Sequence, residues 1–260
     1  MTVDLLSAGW AAAGGGDGAA LAGPGDFGVV YAGPDGDEVR GGLDALCRAD
    51  LERCRPVRSF PSYKGQRNYP GWYWSATMGR RVGFESWVER GHLVALDFDP
   101  AVTAMVSQPF WLLWRTPAGK VRRHAPDFFA RLGGGSALVV DSRPAGRADD
   151  SDREAFAATR RACELLGWGY AVCGAMDPVV AANHRWLAGY RHPRCQEAGI
   201  AARLREAFAS GRALMDGAEA AGDPLATLPV LFHLMWRQEL TADLSLVLSD
   251  RTVVRRAGRG

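Results

Sequence analysis

The stretch that most limits what this chain can become is 122–144, RRHAPDFFARLGGGSALVVDSRP. Residues 125–130 form an apolar run broken only by Asp127, then Gly133, Gly134 and Gly135 supply a turn, and 137–140 is an apolar run with β-branched residues that ends at Asp141. The pattern predicts a β-hairpin that carries one acid on each strand. An unpaired carboxylate in such apolar surroundings is costly, so two of them at neighbouring strand ends point to a shared counter-ion, most simply a divalent metal.

With 260 residues, 47% of them hydrophobic, the chain can bury one full core and a small second domain. A net charge of +2 carries no argument for nucleic acid, so that argument has to rest on local clusters. Cys47, Cys54, Cys163, Cys173 and Cys195 are odd in number and widely spaced, with no C-x-x-C pair. They disfavour a disulfide framework and a zinc site and fit reduced thiols, so a cytoplasmic location is expected. The start has no basic-then-apolar signal pattern, and no apolar stretch reaches about 18 residues, so no membrane span is expected.

Three domains are expected. Residues 1–52 read as a Gly/Ala-rich leader, poorly ordered to about 38, followed by a short helix over 41–53. Residues 53–195 form the main α/β domain, which opens with a cationic, aromatic arm. No acid occurs over 53–81, while Arg55, Arg58, Lys64 and Arg67 interleave with Phe60, Tyr63, Tyr69, Trp72, Tyr73 and Trp74. Such an arm can neutralise phosphates and stack on bases, or its rings can simply cover the core.

A helix is predicted over 81–95, with Glu85 and Glu89 leaving one face at i and i+4. An extended segment at 101–108, a buried strand at 110–115 and the acid-bearing hairpin follow. Arg122 and Arg123 belong to a run whose only charges are positive. Strand alternation puts His124 on the face opposite Asp127. Ser151 with Glu154 predicts a capping box for a helix over 153–166, closed by Gly167 and followed by a strand over 168–173. Asp177-Pro178 opens another helix. Residues 196–260 read as a separate helical module with helices at 200–215 and 228–240. Strands at 244–248 and 252–254 would complete a winged-helix pattern.

Ser86-Trp87-Val88-Glu89, Leu96-Asp97-Phe98-Asp99-Pro100, Gln108-Pro109, Pro126-Asp127-Phe128 and Asp141-Ser142-Arg143-Pro144 together resemble the TnsA-like endonuclease subunits of heteromeric transposases, within the PD-(D/E)xK nuclease superfamily. The resemblance covers about 71–193. It implies a restriction-endonuclease-like fold, a central mixed sheet flanked by helices, with a small C-terminal helical domain. It also implies a site that binds Mg²⁺, or Mn²⁺ in its place, through Glu89, Asp127, Asp141 and the Ser142 carbonyl. Arg143 stands where the motif has Lys, as a phosphate contact, and Glu85 is the alternative to Glu89.

The implied substrate is double-stranded DNA, contacted by Arg55, Arg58, Lys64, Arg67, Arg122 and Arg123. The implied partners are a DDE-type transposase subunit and an ATP-dependent regulator. The implied reaction is metal-assisted phosphodiester hydrolysis at transposon ends. A non-cutting binding module and a stand-alone restriction-type nuclease are the competing readings.

Overall fold

Residue patterning over 27–32, FGVVYA, already puts Phe27, Val29 and Tyr31 on one face of an extended segment. The structure, a computed structural model describing residues 23–60, 69–143 and 148–258, builds a strand there. The chain is mixed α/β, with several sheets and seven α-helices among the described residues. It divides into two compact units, one comprising Met1–Leu96 with Ala101–Ala175, the other Asp97–Pro100 with Met176–Gly260.

The first unit opens with β1 (Phe27–Ala32), β2 (Glu38–Gly41) and the short α1 (Asp44–Arg48). There follow β3 (Gly71–Trp74), β4 (Arg81–Phe84), α2 (Trp87–Phe98), β5 (Val102–Ser107), β6 (Trp111–Arg115) and β7 (Val121–His124). Then come β8 (Phe128–Leu132), β9 (Ala137–Ser142), α3 (Asp150–Leu166) and β10 (Gly169–Cys173). One sheet runs β2-β1-β6-β7, and a second, mixed sheet runs β10-β9-β8-β5. In the second sheet β10 lies parallel to β9, while β8 is antiparallel to both its neighbours. Both acid-bearing strands are therefore interior.

The expected hairpin is β8 and β9. The buried core beneath it joins Phe129, Ala137 and Val139 to Val29, Leu112 and Trp114 of the other sheet and to Ala155, Ala158 and Ala162 of α3. Burying three full-sized side chains such as Phe129, Leu112 and Val139 stabilises by roughly 1.5–3 kcal/mol each.

Several expectations are corrected here. Residues 27–41 are a hairpin rather than leader, because alternate apolar residues of β1 reach the core; 1–22 lie outside the described residues. Residues 81–84 are a strand, β4, which pairs with β3, so the helix starts later, at Trp87. The α3 cap is Asp149, whose side chain accepts from Asp152 N–H while Asp152 accepts from Asp149 N–H, so Ser151 and Glu154 are not the box.

The second unit contains α4 (Pro178–Ala188), α5 (Ala198–Ala207), β11 (Arg212–Ala213), α6 (Leu214–Ala221), α7 (Pro224–Trp236), β12 (Leu240–Thr241) and β13 (Val253–Arg256). Its small sheet runs β11-β13-β12. The helix expected over 200–215 is two helices: at Gly211 the backbone takes φ +80, a conformation that glycine adopts without strain and a helix excludes. The strand expected at 244–248 is absent, and β12 lies earlier. By contacts the chain passes from the first unit to the second between Ala175 and Met176. Among the described residues no helix is long and apolar enough to cross a membrane.

Candidate functional site

The register of β8 and β9 sets two acids side by side. Phe128 opposes Val140, so the next pair outward is Asp127 and Asp141. Asp127 N–H donates to Asp141 Oδ1 at 3.3 Å, and Ser142 N–H donates to Asp127 Oδ2 at 2.6 Å. Asp141 is 2% exposed. It also accepts from His124 Nε2 at 2.9 Å and from the Tyr170 hydroxyl at 2.6 Å. Tyr170 reaches it diagonally, since Val172 is the residue opposite Asp141 on β10.

Glu89 arrives from α2. Ser86 precedes the helix, and its Oγ accepts from Glu89 N–H at 3.2 Å and donates to Glu89 Oε1 at 2.9 Å, while Glu85 N–H donates to Glu89 Oε2 at 2.7 Å. S-x-x-E is thus, physically, a helix-start motif that fixes the carboxylate. Glu85 lies before the helix, and its carboxylate pairs with Arg58 at 2.6 Å. The two glutamates therefore do not share a helix face.

Burial, then the charges of Asp141 and Glu89, hold the Asp127 carboxyl well above the usual carboxylate range. Burial likewise raises Glu89, against the hydrogen bonds from Glu85 and Ser86. The three acids thus share one electrostatic neighbourhood. Burial disfavours charge on His124, yet the charge and hydrogen bond of Asp141 outweigh it and raise its pKa.

Two further buried groups brace this cluster. His92, three residues beyond Glu89, has Nε2 2.7 Å from Gly174 O and Nδ1 2.7 Å from Ser142 Oγ. A carbonyl only accepts, so Nε2 carries the proton and Ser142 donates to Nδ1. Burial lowers the His92 pKa to about 4, so the ring is neutral near pH 7. Gln108, 1% exposed and at φ +47, donates its N–H to Asp127 O at 2.8 Å and accepts from Val57 N–H at 2.9 Å. Its Oε1 has no hydrogen-bond partner. Gln108 thus combines a left-handed backbone with an unpartnered buried acceptor, and its main chain is bonded to that of Asp127.

The structure puts Asp127, Asp141 and Ser142 in direct contact, with Glu89 near enough to act on the charge of Asp127, and it treats the expected cations differently. Arg143 is ion-paired with Asp152 of α3 and is not presented to the acids. Arg58 is held by Glu85, Arg122 faces Glu154 at 3.7 Å, and Arg55 Nε donates to Pro34 O at 3.0 Å. Arg123 is exposed and stacks its guanidinium 4.5 Å from the Trp111 ring centroid. Lys64 and Arg67 lie outside the described residues.

His124 is the main correction. Alternation would separate it from Asp127, but β7 ends at His124 and β8 begins at Phe128, so the alternation is interrupted and the ring meets Asp141. His92, Tyr170 and Asp152 had no part in the sequence reading. The S-x-x-E-x-x-H spacing was the available signal for His92. Tyr170 needed the β9–β10 register.

Hard oxygen donors whose buried carboxylates disfavour one another's charge suit a hard divalent cation such as Mg²⁺. In charge and donor type the residues fit. Among the described residues no group of three or more His, Cys, Asp or Glu side chains is gathered closely enough to enclose a metal. No protein-family model matches this chain, and no curated protein matches it.

Proposed function

We propose that this protein is a metal-dependent DNA endonuclease, the cutting subunit of a heteromeric transposase. The observation that carries the reading is the electrostatic position of Asp127, whose anion is disfavoured by burial and by Asp141 and Glu89 at the end of the interior strands of a mixed sheet. Structural carboxylates are normally satisfied by cations, whereas this cluster leaves negative charge to be met by an ion from outside. The mixed sheet β10-β9-β8-β5, with α3 packed in its core, supports a restriction-endonuclease-like fold.

Asp127, Glu89 and Asp141 would hold the ion, with the Ser142 carbonyl as a further oxygen donor. A bound Mg²⁺ supplies Lewis-acid charge to the scissile phosphate and its attacking water. The protein's own share is positional. Ser142 N–H orients Asp127, Tyr170 and His124 fix Asp141, and the helix-start bonds fix Glu89. Arg123 and the basic arm neutralise DNA phosphates.

In the second unit the order α5-β11-α6-α7-β12-β13, with β13 central, supports the winged-helix reading. Its α7, PLATLPVLFHLMW, carries no Lys or Arg, which favours recruitment of protein partners over DNA readout. The partners proposed are the DDE-type transposase subunit and the ATP-dependent regulator.

A plasmid-nicking assay in Mg²⁺ and Mn²⁺, with Asp127→Asn as control and with or without partner subunits, tests the proposal. Cleavage lost in the variant supports it. Metal-independent DNA binding without cutting in any mixture overturns it in favour of a binding module, a reading that the Arg143–Asp152 pair favours.

A further inference from the structure

Large aromatic rings that stand in water side by side forfeit burial together, and such a patch points to a binding surface. In the first unit Tyr69 is 64%, Trp72 59% and Trp87 61% exposed. They fall in two pairs. Tyr69 and Trp87 have ring centroids 6.4 Å apart, and Arg90, one turn further along α2, places its guanidinium carbon 5.4 Å from the Trp87 centroid. Trp72, on β3, stands edge-on to Phe60 at 5.4 Å. A Cβ at Gly83 would fall 2.4 Å from the Phe60 ring, so this pair is seated where only glycine leaves room for it.

Trp87 is also two residues from Glu89, within the first turn of the helix that delivers that acid. Arg90 supplies positive charge at the ring itself and Arg81 is exposed on β4, while Glu85, next to the helix start, is paired with Arg58. A surface of this kind, rings plus cations, has two natural occupants. A paired duplex hides its base faces in its own stack and offers only edges and phosphates, which leaves the ring planes unused. An unpaired base offers a face to the ring and a phosphate to the cation.

We propose that the Tyr69–Trp87–Arg90 surface, with Trp72, stacks an unpaired nucleobase of the strand being cut, so that the preferred substrate is DNA that is single-stranded or frayed at the cleavage position. This rests on the nuclease reading for the word "cut" but not for the binding. Stacking of a base on Trp87 changes its surroundings directly, and Arg90 meets the adjoining phosphate.

The test uses full-length Asp127→Asn protein, so that no substrate is consumed, and three probes: an oligo-dT strand, a blunt duplex and the same duplex with a central mismatch bubble. Trp87→Ala is expected to weaken oligo-dT and bubble binding roughly tenfold while leaving blunt-duplex affinity and its salt slope unchanged, with Trp87→Phe restoring most of the loss. Tryptophan fluorescence should be quenched by the bubble more than by the duplex, and less so in Trp87→Phe. Equal weakening for all three probes, or none, overturns the platform. Trp72→Ala guards against a folding artefact, because Trp72 lies on another element and should give the same ordering of probes. Base-selective binding without cleavage by wild type in Mg²⁺ or Mn²⁺ leaves the platform standing and removes the nuclease reading. Cleavage with no probe preference does the reverse.

Discussion

His124 Nε2 lies 2.9 Å from Asp141 Oδ1 although the two residues sit in different sheets, β7 in one and β9 in the other. The contact ties the first sheet to the acid strand. It also supplies a cation-forming group at Asp141 where Arg143, turned to Asp152, does not.

Asp127→Asn should abolish cleavage and leave stability within about 1 kcal/mol of wild type, or above it. The Asp127 pKa is raised, so the carboxyl favours folding when protonated, and that contribution is lost as pH rises through its folded pKa. The amide removes the repulsion and keeps an oxygen for Ser142 N–H. Thermal melts with Mn²⁺ should show an increase in Tm for wild type and none for the variant. A collapse of the variant's fold would mark Asp127 as structural.

His92 makes the protein acid-sensitive. Its pKa falls from 6.5 to about 4 on burial, so the stabilisation is complete above pH 6.5 and is lost as pH falls towards 4. The full effect is about 3 kcal/mol. His184 in the second unit, lowered to about 4 by burial, acts in the same direction, while His124, raised, acts in the opposite one. Urea titrations at pH 7.5 and 5 without metal should show this loss. His92→Gln should reduce the pH dependence and cost about 2 kcal/mol at pH 7.5, since Ser142 or Gly174 loses its partner.

Freeing Arg143 should change DNA binding. Asp152→Asn removes its counter-charge, and one added phosphate contact would steepen the salt dependence of affinity by roughly 0.9 in log–log slope. The pair is partly exposed, so the stability cost is small beyond the weakened α3 cap, about 1 kcal/mol. An unchanged slope would show that Arg143 serves only to hold α3.

Arg123→Gln should flatten that slope by roughly 0.9 and weaken every DNA sequence alike, because an exposed guanidinium contacts phosphate, not bases. Arg122→Gln should do less, because Arg122 already faces Glu154. Equal effects from the two would place both on the DNA.

The acid pair was legible because its signal is local: apolar runs, three glycines and two aspartates fix the β8–β9 register over sixteen or so residues, within ordinary hairpin rules. What joins different elements was not. His124–Asp141 spans two sheets, and Tyr170–Asp141 depends on a parallel pairing that follows a whole helix. Residues 81–84 were read as helix because RVGF continues the apolar spacing of α2, and only pairing with β3 decides for strand. β1 was hidden by the Gly/Ala-rich sequence before it. Arg143 was assigned by motif position alone, which says nothing of Asp152 nine residues on.

Ser86 and Glu89 do more than begin α2. Since the same bonds that start the helix hold the carboxylate, the starting residue also sets the angle from which the acid approaches the sheet. Each residue of an α-helix turns about 100° and advances about 1.5 Å, so a start displaced by a single position would carry Glu89 round to a different side. Ser86 therefore works as an index mark, and substitutions that leave every acid in place could still silence the centre by moving it.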